Sequence, residues 1–373
     1  MFLSILTFII FLSILVLVHE LGHYVAARRA GIWVEEFGFG IPPRIFGIKR
    51  GETIYSLNLF PFGGFVRLHG EDDTGDIKKP QRAFVTKSWG TRMLVVYAGV
   101  FMNIVLGIVA FSIVYTVSGV PKVTETGEVR VVGVAEGSPA QDYGIAAGDV
   151  VREVGGKAVA TSGELTSEVD RYRGQEVILS IVRGGEVLNI PVVPRENPPK
   201  SEGSLGLVIA SSTVESYFPP LWQRPFYGIW YGLKETFFWG SVIVLGLIQT
   251  IGGLLTGEIP KDLVGPTGLY AVTTEVAKRG LVAVTNWIGI ISVNLAILNI
   301  LPFPALDGGR GAFLILEKLF GKKVKPKVEG FIHTFGLLIL VGAIIAVTYR
   351  EVSIISKLGL SGYIDFITQG QGL

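Results

Sequence analysis

The sequence predicts a polytopic α-helical membrane protein with about four transmembrane helices, a membrane-associated β-hairpin element and one extracytoplasmic β-rich domain. Three observations favour this fold class. The mean hydropathy is +0.51 and 17% of the 373 residues are charged, which is too apolar for an ordinary soluble protein. Several segments are apolar enough to be helical spans. Residues 120 to 210 instead alternate short β-branched runs with Gly-rich turns.

A helical span needs about 20 mostly apolar residues, and five segments come near that length. They are Phe2 to Val18, Met93 to Val117, Phe237 to Leu255, Leu281 to Leu301 and Phe331 to Tyr349. The first has the length of a signal peptide, but it lacks a basic start and a small-residue cleavage site. We therefore expect it to remain as a span.

Basic residues orient the spans, because cytoplasmic loops are enriched in Lys and Arg. The loop after the first span and the segment 310–330 are rich in both, whereas the N terminus has none. This bias places both basic stretches in the cytoplasm and the N terminus outside. The second span then leaves the cytoplasm, so residues 120 to 220 are expected to be extracytoplasmic.

That external stretch reads as one β-rich domain over residues 120–210. Its strand-like runs are Val129 to Val134, Val177 to Val182 and Val187 to Val193, with a helical segment at about Ser162 to Tyr172. The stretch GSPAQDYGIAAGDVVREVGGKAV, 137–159, resembles the core of a circularly permuted bacterial PDZ domain, and Gly203 to Leu207 resembles its carboxylate-binding loop. Such a PDZ-like domain would bind peptide C-termini or protein ectodomains by strand addition. A small β-rich spacer is the alternative.

The chemistry begins with the stretch VLVHELGH at the end of the first span. On a helix, His19 and His23 lie one turn apart on one face, where both imidazoles can bind the same Zn²⁺. Glu20, beside the first histidine, can reach the attacking water instead of the metal. The alternative is an incidental pattern at a membrane boundary, but burying ionisable groups there without a function is costly.

The third ligand decides the class of metal site. The residues after His23 do not continue the metzincin pattern, and Glu35 or Glu36 would be the glutamate of a gluzincin, which we consider a poor match. The stretch NILPFPALDGG, 299–309, interrupts a hydrophobic span with two prolines and a glycine pair. Asp307 in this broken helix is a suitable oxygen ligand, and with the two histidines it leaves a fourth position open for water. On its own, the stretch would read as a helix-ending turn with a capping aspartate.

Together, HExxH at the end of a first span, NxxPxPxLDGG late in the chain and a PDZ-like stretch between them resemble the site-2 protease family of intramembrane zinc peptidases. The resemblance implies Zn²⁺ bound by His19, His23 and Asp307, with Glu20 as the general base. It also implies that Asn299 contacts the substrate, and Asn103 matches a polar position of the family near the active site and is a second candidate for substrate binding. Bacterial members cleave transmembrane anti-sigma factors and remnant signal peptides in the inner membrane, in regulated intramembrane proteolysis. They often carry two PDZ domains, whereas this sequence shows one.

The topology offers an independent check on the metal site. His19 lies at the cytoplasmic end of its span, so Leu281 to Leu301 must run inward to bring Asp307 to the same side. The segment 237–255 must then cross zero times or twice, and its 19 residues are too few for two crossings. We therefore expect residues 211–280 to form an amphipathic or re-entrant external element from about Trp222. The last two spans, within 281–373, leave both termini extracytoplasmic.

A further element is expected at residues 37–70 of the first membrane region, 1–119. Strand-like runs at Thr53 to Phe60 and Phe65 to Leu68 flank a Pro-Gly turn and predict a hairpin. In the family this region is a membrane-re-entrant β-element that could pair with substrate; a cytoplasmic hairpin is the alternative. In the second span, Gly99, Asn103 and Gly107 recur every four residues, which favours close helix packing.

Other classes fit less well. The net charge is +2 and the sequence has no basic-aromatic motif, so a nucleic-acid partner is not expected. The sequence has no cysteine, which excludes thiolate metal sites. A non-catalytic membrane adaptor, which binds peptides through its PDZ-like domain, is the main alternative. A zinc transporter would be expected to carry more His or Asp in its spans. His69 and His333 receive no role.

Overall fold

The computed structural model describes residues 2–71, 77–199, 202–257, 264–321, 324 and 326–369. Lys322, Lys323 and Lys325 of the basic segment 310–330 lie outside the described residues. The chain forms two compact units. We call Val120–Phe218 the β unit, and Met1–Gly119 together with Pro219–Leu373 the helical unit.

The elements follow one another along the described chain as helices and strands that we number in order. They are α1 (Phe2–Arg29), β1 (Val34–Arg50), β2 (Thr53–Leu68), α2 (Trp89–Ser118), β3 (Val120–Val134), α3 (Pro139–Asp142), β4 (Val150–Val154), β5 (Lys157–Ala158), α4 (Ser162–Asp170), β6 (Val177–Arg183), β7 (Glu186–Val192), β8 (Leu207–Tyr217), α5 (Arg224–Leu255), α6 (Pro266–Lys278), α7 (Leu281–Ile300), α8 (Asp307–Phe320) and α9 (Pro326–Gln369). In α9, Gly359 has φ 71° and separates two helical stretches.

Five of these helices, α1, α2, α5, α7 and α9, are long and apolar enough to cross a membrane. Each contains one of the five apolar segments of the sequence. The segment predicted as re-entrant or surface-lying belongs to α5, which is one helix of 32 residues without a turn inside it. Both forms of that prediction, re-entrant and surface-lying, stay predictions.

Helix α2 lies at the centre of the helical unit, packed against α1, α5 and α7. Small residues allow the close approach of α5. A Cβ on Gly232 would overlap the Ser112 hydroxyl, and one on Gly228 would lie 2.7 Å from the Ser112 carbonyl oxygen. Farther along α5, the Thr236 hydroxyl lies 3.9 Å from the position of a Cβ on Gly107. Helix α5 therefore starts at the C-terminal end of α2 and runs antiparallel to it.

The short helix α6 packs at the opposite end of α1 from the histidine pair. The Tyr270 ring lies 5.4 Å from the Phe8 ring, and Trp287 at the start of α7 donates its indole N–H to the Thr273 hydroxyl at 3.0 Å. The first turn of α6 is held by α9, since the Gly265 N–H donates to the Glu351 carboxylate at 2.7 Å. The chain after α5 thus returns to the N-terminal end of α1.

The expected hairpin at 37–70 is a more complex element. The run at 53–58 and the run at 64–68 do not pair with each other; they flank the same segment of β1, so that Gly38 pairs with both Ser56 and Phe65. The tight turn lies instead at Gly51, where φ is 65°. The result is four strand segments in the order 64–68, 34–39, 53–58 and 44–50, with 64–68 at one edge.

The β unit contains a sheet in the order β7-β6-β4-β3-β8, with β5 paired to β4. Alternation along the strands directs aliphatic side chains into one core. The buried residues of that core are Val129, Val131, Ala140, Ile145, Val151, Val154, Val159, Leu165, Val169, Val177, Leu179, Ile181, Val192 and Leu205. Helix α4 starts with a capping box between Thr161 and Glu164. Strand β8 is an edge strand, and it directly follows the loop 203–206.

Candidate metal centre

Three potential ligand atoms converge in the helical unit. His19 Nε2 lies 3.1 Å from His23 Nε2 and 3.1 Å from Asp307 Oδ2, and His23 Nε2 lies 3.3 Å from the same oxygen. Among the described residues, this is the group of three His, Cys, Asp or Glu side chains close enough to share an ion. The structure therefore brings together the two ends of the chain that the sequence analysis paired.

The backbone of α2 orients the second histidine. His23 Nδ1 lies 2.8 Å from the carbonyl oxygen of Val95. A carbonyl only accepts, so Nδ1 carries the proton and donates it. In the neutral imidazole, Nε2 then keeps its lone pair and is free to bind a metal, which is the usual arrangement around histidine ligands.

Asn103 orients the first histidine in the same way. Its side chain is fully buried and its Nδ2 is placed 3.3 Å from His19 Nδ1, while its Oδ1 finds no hydrogen-bond partner in the part of the chain that the structure describes. The two ends of an amide have nearly the same shape, so the hydrogen-bond network decides their assignment. With them exchanged, Oδ1 accepts the Nδ1–H of His19, and Nε2 becomes a ligand. Asn103 therefore contacts the imidazole and does not line the cavity.

Gly99 lets α2 approach both imidazoles. A Cβ at this position would overlap His23 Nε2 and would lie 2.7 Å from His19 Nε2. On the other side of the contact, a Cβ on Gly22 of α1 would overlap the Ala98 carbonyl oxygen and lie 2.8 Å from the Met102 side chain. The four-residue spacing of Gly99, Asn103 and Gly107 is thus a packing pattern, as expected, but its first two members pack against the histidines.

Asp307 is the first residue of α8, after the break that follows α7. Two glycines let the chain fold back there: a Cβ on Gly308 would overlap the carbonyl oxygens of Ile300 and Leu301, and one on Gly309 would overlap that of Phe303. Helix α8 is then fixed to α2, where Arg92 donates two hydrogen bonds to Glu317 at 2.6 and 2.8 Å. The aspartate is thereby held beside residues far away in sequence.

The three ligand atoms lie on the wall of a cavity of about 440 Å³, which also contains Glu20. A Cβ on Gly64 would lie 3.0 Å from Glu20 Cγ, so the edge segment 64–68 passes directly over this glutamate. Arg310 and Glu71 form an ion pair on the same wall. The cavity is lined by His19, Glu20, His23, Gly64, Phe65, Val66, Leu68, Glu71, Val95, Val96, Ala305, Leu306, Asp307, Arg310, His333, Thr334 and Leu337.

Other residues considered from the sequence lie elsewhere. Asn299 is partly buried in the last turn of α7 and is not among the lining residues. Glu35 hydrogen-bonds His69 at 2.7 Å, and Glu36 pairs with Arg44 at 2.6 Å, so neither glutamate belongs to the ligand group. Sequence reasoning missed Arg310, Glu71 and His333. Arg310 follows the LDGG motif directly, which was a usable signal; the other two had none.

The donor set fits zinc. Tetrahedral Zn²⁺ with bonds of about 2.0–2.1 Å separates its ligands by about 3.3–3.4 Å, and the three observed separations are 3.1, 3.1 and 3.3 Å. Asp307 Oδ2 is buried and has no hydrogen-bond partner among the described residues, which is costly unless a cation compensates it. Two imidazoles and one carboxylate are also ligands that zinc prefers, with one position left open.

Known proteins agree with this chemistry. The profile of Peptidase family M50 matches residues 7–343. A Clostridium perfringens protein whose name describes it as a zinc metalloprotease is 35% identical over 91% of this chain and 96% of its own length. Zinc metalloprotease RasP of Oceanobacillus iheyensis is 29% identical over 94% of this chain and 98% of its own length. RasP of Geobacillus kaustophilus is 29% identical, with 94% and 97% covered. The chain therefore belongs to Peptidase family M50, the site-2 protease family, and is a multi-pass membrane metalloendopeptidase that depends on zinc.

Proposed function

We propose that this protein hydrolyses peptide bonds within or next to the transmembrane segments of other membrane proteins, with His19, His23 and Asp307 as zinc ligands and Glu20 as the general base. One observation carries the proposal: three ligand atoms from the two ends of the chain lie within 3.3 Å of one another, in a cavity that also holds Glu20. No additional residue is needed to complete a zinc peptidase site.

The metal and the protein side chains would have different roles in the reaction. Bound zinc supplies a water of lowered pKa, about 7, and polarises the scissile carbonyl. Glu20 lies on α1 between the two ligands and lines the same cavity. Its carboxylate accepts the proton of the attacking water and then donates it to the leaving amine. His23 and His19 keep their Nε2 atoms toward the metal because Val95 and Asn103 hold their Nδ1 atoms.

The edge segment 64–68 supports a binding mode for the substrate. A transmembrane helix hides its carbonyls in internal hydrogen bonds, so it must unwind before it can be cut. Gly64, Phe65 and Val66 line the cavity from the edge of the four-segment sheet. We propose that an unwound substrate adds to this edge as a further strand, which replaces the hydrogen bonds that it loses and exposes its carbonyl to the metal.

The positions of the helices support an orientation. The basic residues that follow α1 favour a cytoplasmic site with extracytoplasmic termini. Helix α6 lies at the end of α1 remote from the histidines. Helices α5 and α6 together would then return the chain to the outer side, so that α7 runs inward. We propose the bacterial inner membrane as the location, because the relatives named above are bacterial proteins, with four crossings by α1, α2, α7 and α9.

The β unit would select substrates on the outer side. Strand β8 is an edge strand, and it follows the loop that resembles a carboxylate-binding loop. Helix α4 lies beside it, since the Ser162 N–H donates to the Ser211 hydroxyl at 3.1 Å. We propose a PDZ-like function, in which this edge binds peptide C-termini or trimmed ectodomains. Substrates would then be anti-sigma-factor-like proteins or remnant signal peptides, cut after a first cleavage in regulated intramembrane proteolysis.

A pair of substitutions tests the proposal against a non-catalytic adaptor. Glu20→Gln should retain stoichiometric zinc but lose cleavage of a synthetic transmembrane peptide, because the base is removed and the ligands remain. Asp307→Ala should lose both zinc and cleavage. Zinc content and peptide cleavage in detergent are the measurements. Normal cleavage by Glu20→Gln would exclude Glu20 as the base, and full zinc in Asp307→Ala would exclude the ligand set.

A further inference from the structure

Helix α9 touches the loop that carries Asp307. The backbone N–H of Ala305 donates to His333 Nδ1 at 2.9 Å, and His333 lies on the wall of the metal cavity. Because the N–H of Ala305 is the donor, Nδ1 is the acceptor, and a neutral imidazole carries its proton on Nε2. His333 is thus joined to a backbone position two residues before Asp307.

The conformation of that loop needs support. Ala305 has φ 80°, and it is the non-glycine residue with positive φ in the described chain. A non-glycine residue adopts this region rarely and at a cost, and it persists there only where surrounding contacts fix it. Asp307 directly follows this loop and begins α8. Its position therefore depends on what holds residues 303–306 as well as on the packing of α8 against α2.

A second residue of α9 makes the neighbouring contact. Gly336 lies three residues after His333, on the same face of the helix. A Cβ there would overlap the Pro304 side chain and would lie 2.7 Å from the Pro304 carbonyl oxygen. By contrast, no described residue has an atom within 4 Å of a Cβ on Gly342, farther along α9. Helix α9 thus approaches Pro304 through a glycine and holds Ala305 through a hydrogen bond.

We propose that His333 is a positioning residue, which fixes the loop 303–306 together with Gly336 and so holds Asp307 Oδ2 against the two histidines. The inference rests on the proposed function, because it takes Asp307 as a zinc ligand. The effect depends on the acceptor nitrogen of His333: without an acceptor, the Ala305 N–H is left unsatisfied and the loop loses one of the contacts that maintain its conformation. Asp307 then no longer meets the histidines at ligand distance.

Two variants of His333 test whether the hydrogen-bond acceptor or only the shape of the side chain is needed. In His333→Asn, the amide oxygen takes the place of Nδ1 and can accept the Ala305 N–H. His333→Leu has a similar branched shape without an acceptor. Both are made in the Glu20→Gln protein, so that zinc affinity is read without catalysis, by competition with a chelating dye. We expect His333→Leu to bind zinc about 10- to 100-fold more weakly, as changes around metal ligands do, and His333→Asn to stay near the parent.

A matched glycine pair tests the same loop without touching the histidine. Gly336→Ala should weaken zinc binding because its Cβ displaces Pro304, whereas Gly342→Ala should not. The inference is overturned if His333→Leu equals His333→Asn, or if Gly336→Ala equals Gly342→Ala. If the Glu20→Gln parent itself binds no zinc, the proposed ligand set fails and this inference fails with it. If the parent binds zinc and the variants bind it equally, the inference alone fails.

Discussion

Large apolar side chains form the buried core of the β unit but are exposed on two helices of the helical unit. In the β unit, Val, Ile and Leu form the buried core, and Leu179 and Ile181 are 0% exposed. In the helical unit, large apolar side chains of α5 and α9 are exposed, and the buried positions of α5 are Gly228, Gly232 and Thr236. Lipid is as apolar as these side chains, so burying them inside the protein gains little, and small residues make the helix contacts.

The two units should therefore be sensitive to opposite kinds of substitution. The β unit is held by the burial of side-chain volume, so removing volume should damage it. The helical unit is held by close approach of backbones, so adding volume should damage it. Four predictions test the two units, and each is paired with a comparison residue from the same unit.

The largest effect is expected for Gly99→Ala in α2. Its added Cβ would overlap His23 Nε2, so both imidazoles must move and the ligand set is lost. We expect the zinc affinity to fall by more than the roughly 10- to 100-fold that substitutions around metal ligands cause. Peptide cleavage should be lost with it. Gly90→Ala, on the same helix with nothing within 4 Å of its Cβ, should leave both unchanged. Comparable zinc binding in the two variants would contradict the close-approach argument.

Next in size is Leu179→Ala in β6, which leaves a cavity in the core of the β unit. Such substitutions cost about 2–5 kcal/mol. Ile178→Ala is the control, because Ile178 is the neighbouring residue on the opposite face and is 54% exposed. Pulse proteolysis of the full-length protein in urea, followed by detection of cleavage within residues 120–218, measures the loss. A zinc affinity that falls in parallel would count against a separate β unit.

A smaller, pH-dependent effect is expected at Asp149, which is 1% exposed. Hydrogen bonds from Arg183 at 2.6 and 2.7 Å hold the pKa of Asp149 below its ordinary value, against burial, which raises it. The stabilisation is present above the unfolded pKa of about 4 and is lost as the pH falls through the folded value.

Asp149→Asn should therefore destabilise the β unit by about 1–3 kcal/mol at neutral pH, and by less as the pH falls below about 4. Pulse proteolysis across a pH series checks this. Glu153→Gln, with an exposed side chain on the adjoining strand, should show little change at any pH. An acid profile of Asp149→Asn identical to that of the parent protein would refute the assignment.

The smallest effect is expected for Phe237→Ala in α5, although phenylalanine is large. Its side chain is 80% exposed in the helical unit, so its loss should change stability by no more than about 0.5 kcal/mol. Gly232→Ala, on the same helix, should cost more because its Cβ would overlap the Ser112 hydroxyl. Thermal unfolding in detergent compares them. If Phe237→Ala lowered the unfolding temperature more than Gly232→Ala does, the contrast between the units would be contradicted.

Much of this architecture follows from local patterns. Apolar runs located the five long helices, most closely for the predicted 281–301 and the observed α7, Leu281–Ile300, whereas α1, α5 and α9 extend well beyond the predicted segments. The four-residue spacing of His19 and His23 predicted that they lie together, because helix periodicity alone brings them to one face. The motif around Asp307 indicated a ligand, and the fold brings it to the histidines.

What the sequence did not show depends on long-range contacts. The pairing of 53–58 and 64–68 on either side of 34–39 is set by register, which no local turn signal specifies. The position of Asn103 behind His19 depends on the packing of α1 on α2. His333 had no motif around it, since its contact is with the backbone of Ala305. The apolar segment 237–255 is shorter than α5 because Lys234 and Glu235 precede the uncharged run, although both lie within the helix.

The proposed zinc ligands lie far apart in the sequence, and this has a consequence for biosynthesis. His19 and His23 leave the ribosome early, whereas Asp307 is made only after the β unit and most of the helices. A chain that is synthesised from its N terminus therefore has two ligands for most of its production and three only near the end. With the proposed ligand set, tight zinc binding, and with it peptide hydrolysis, would be delayed until α8 has been made.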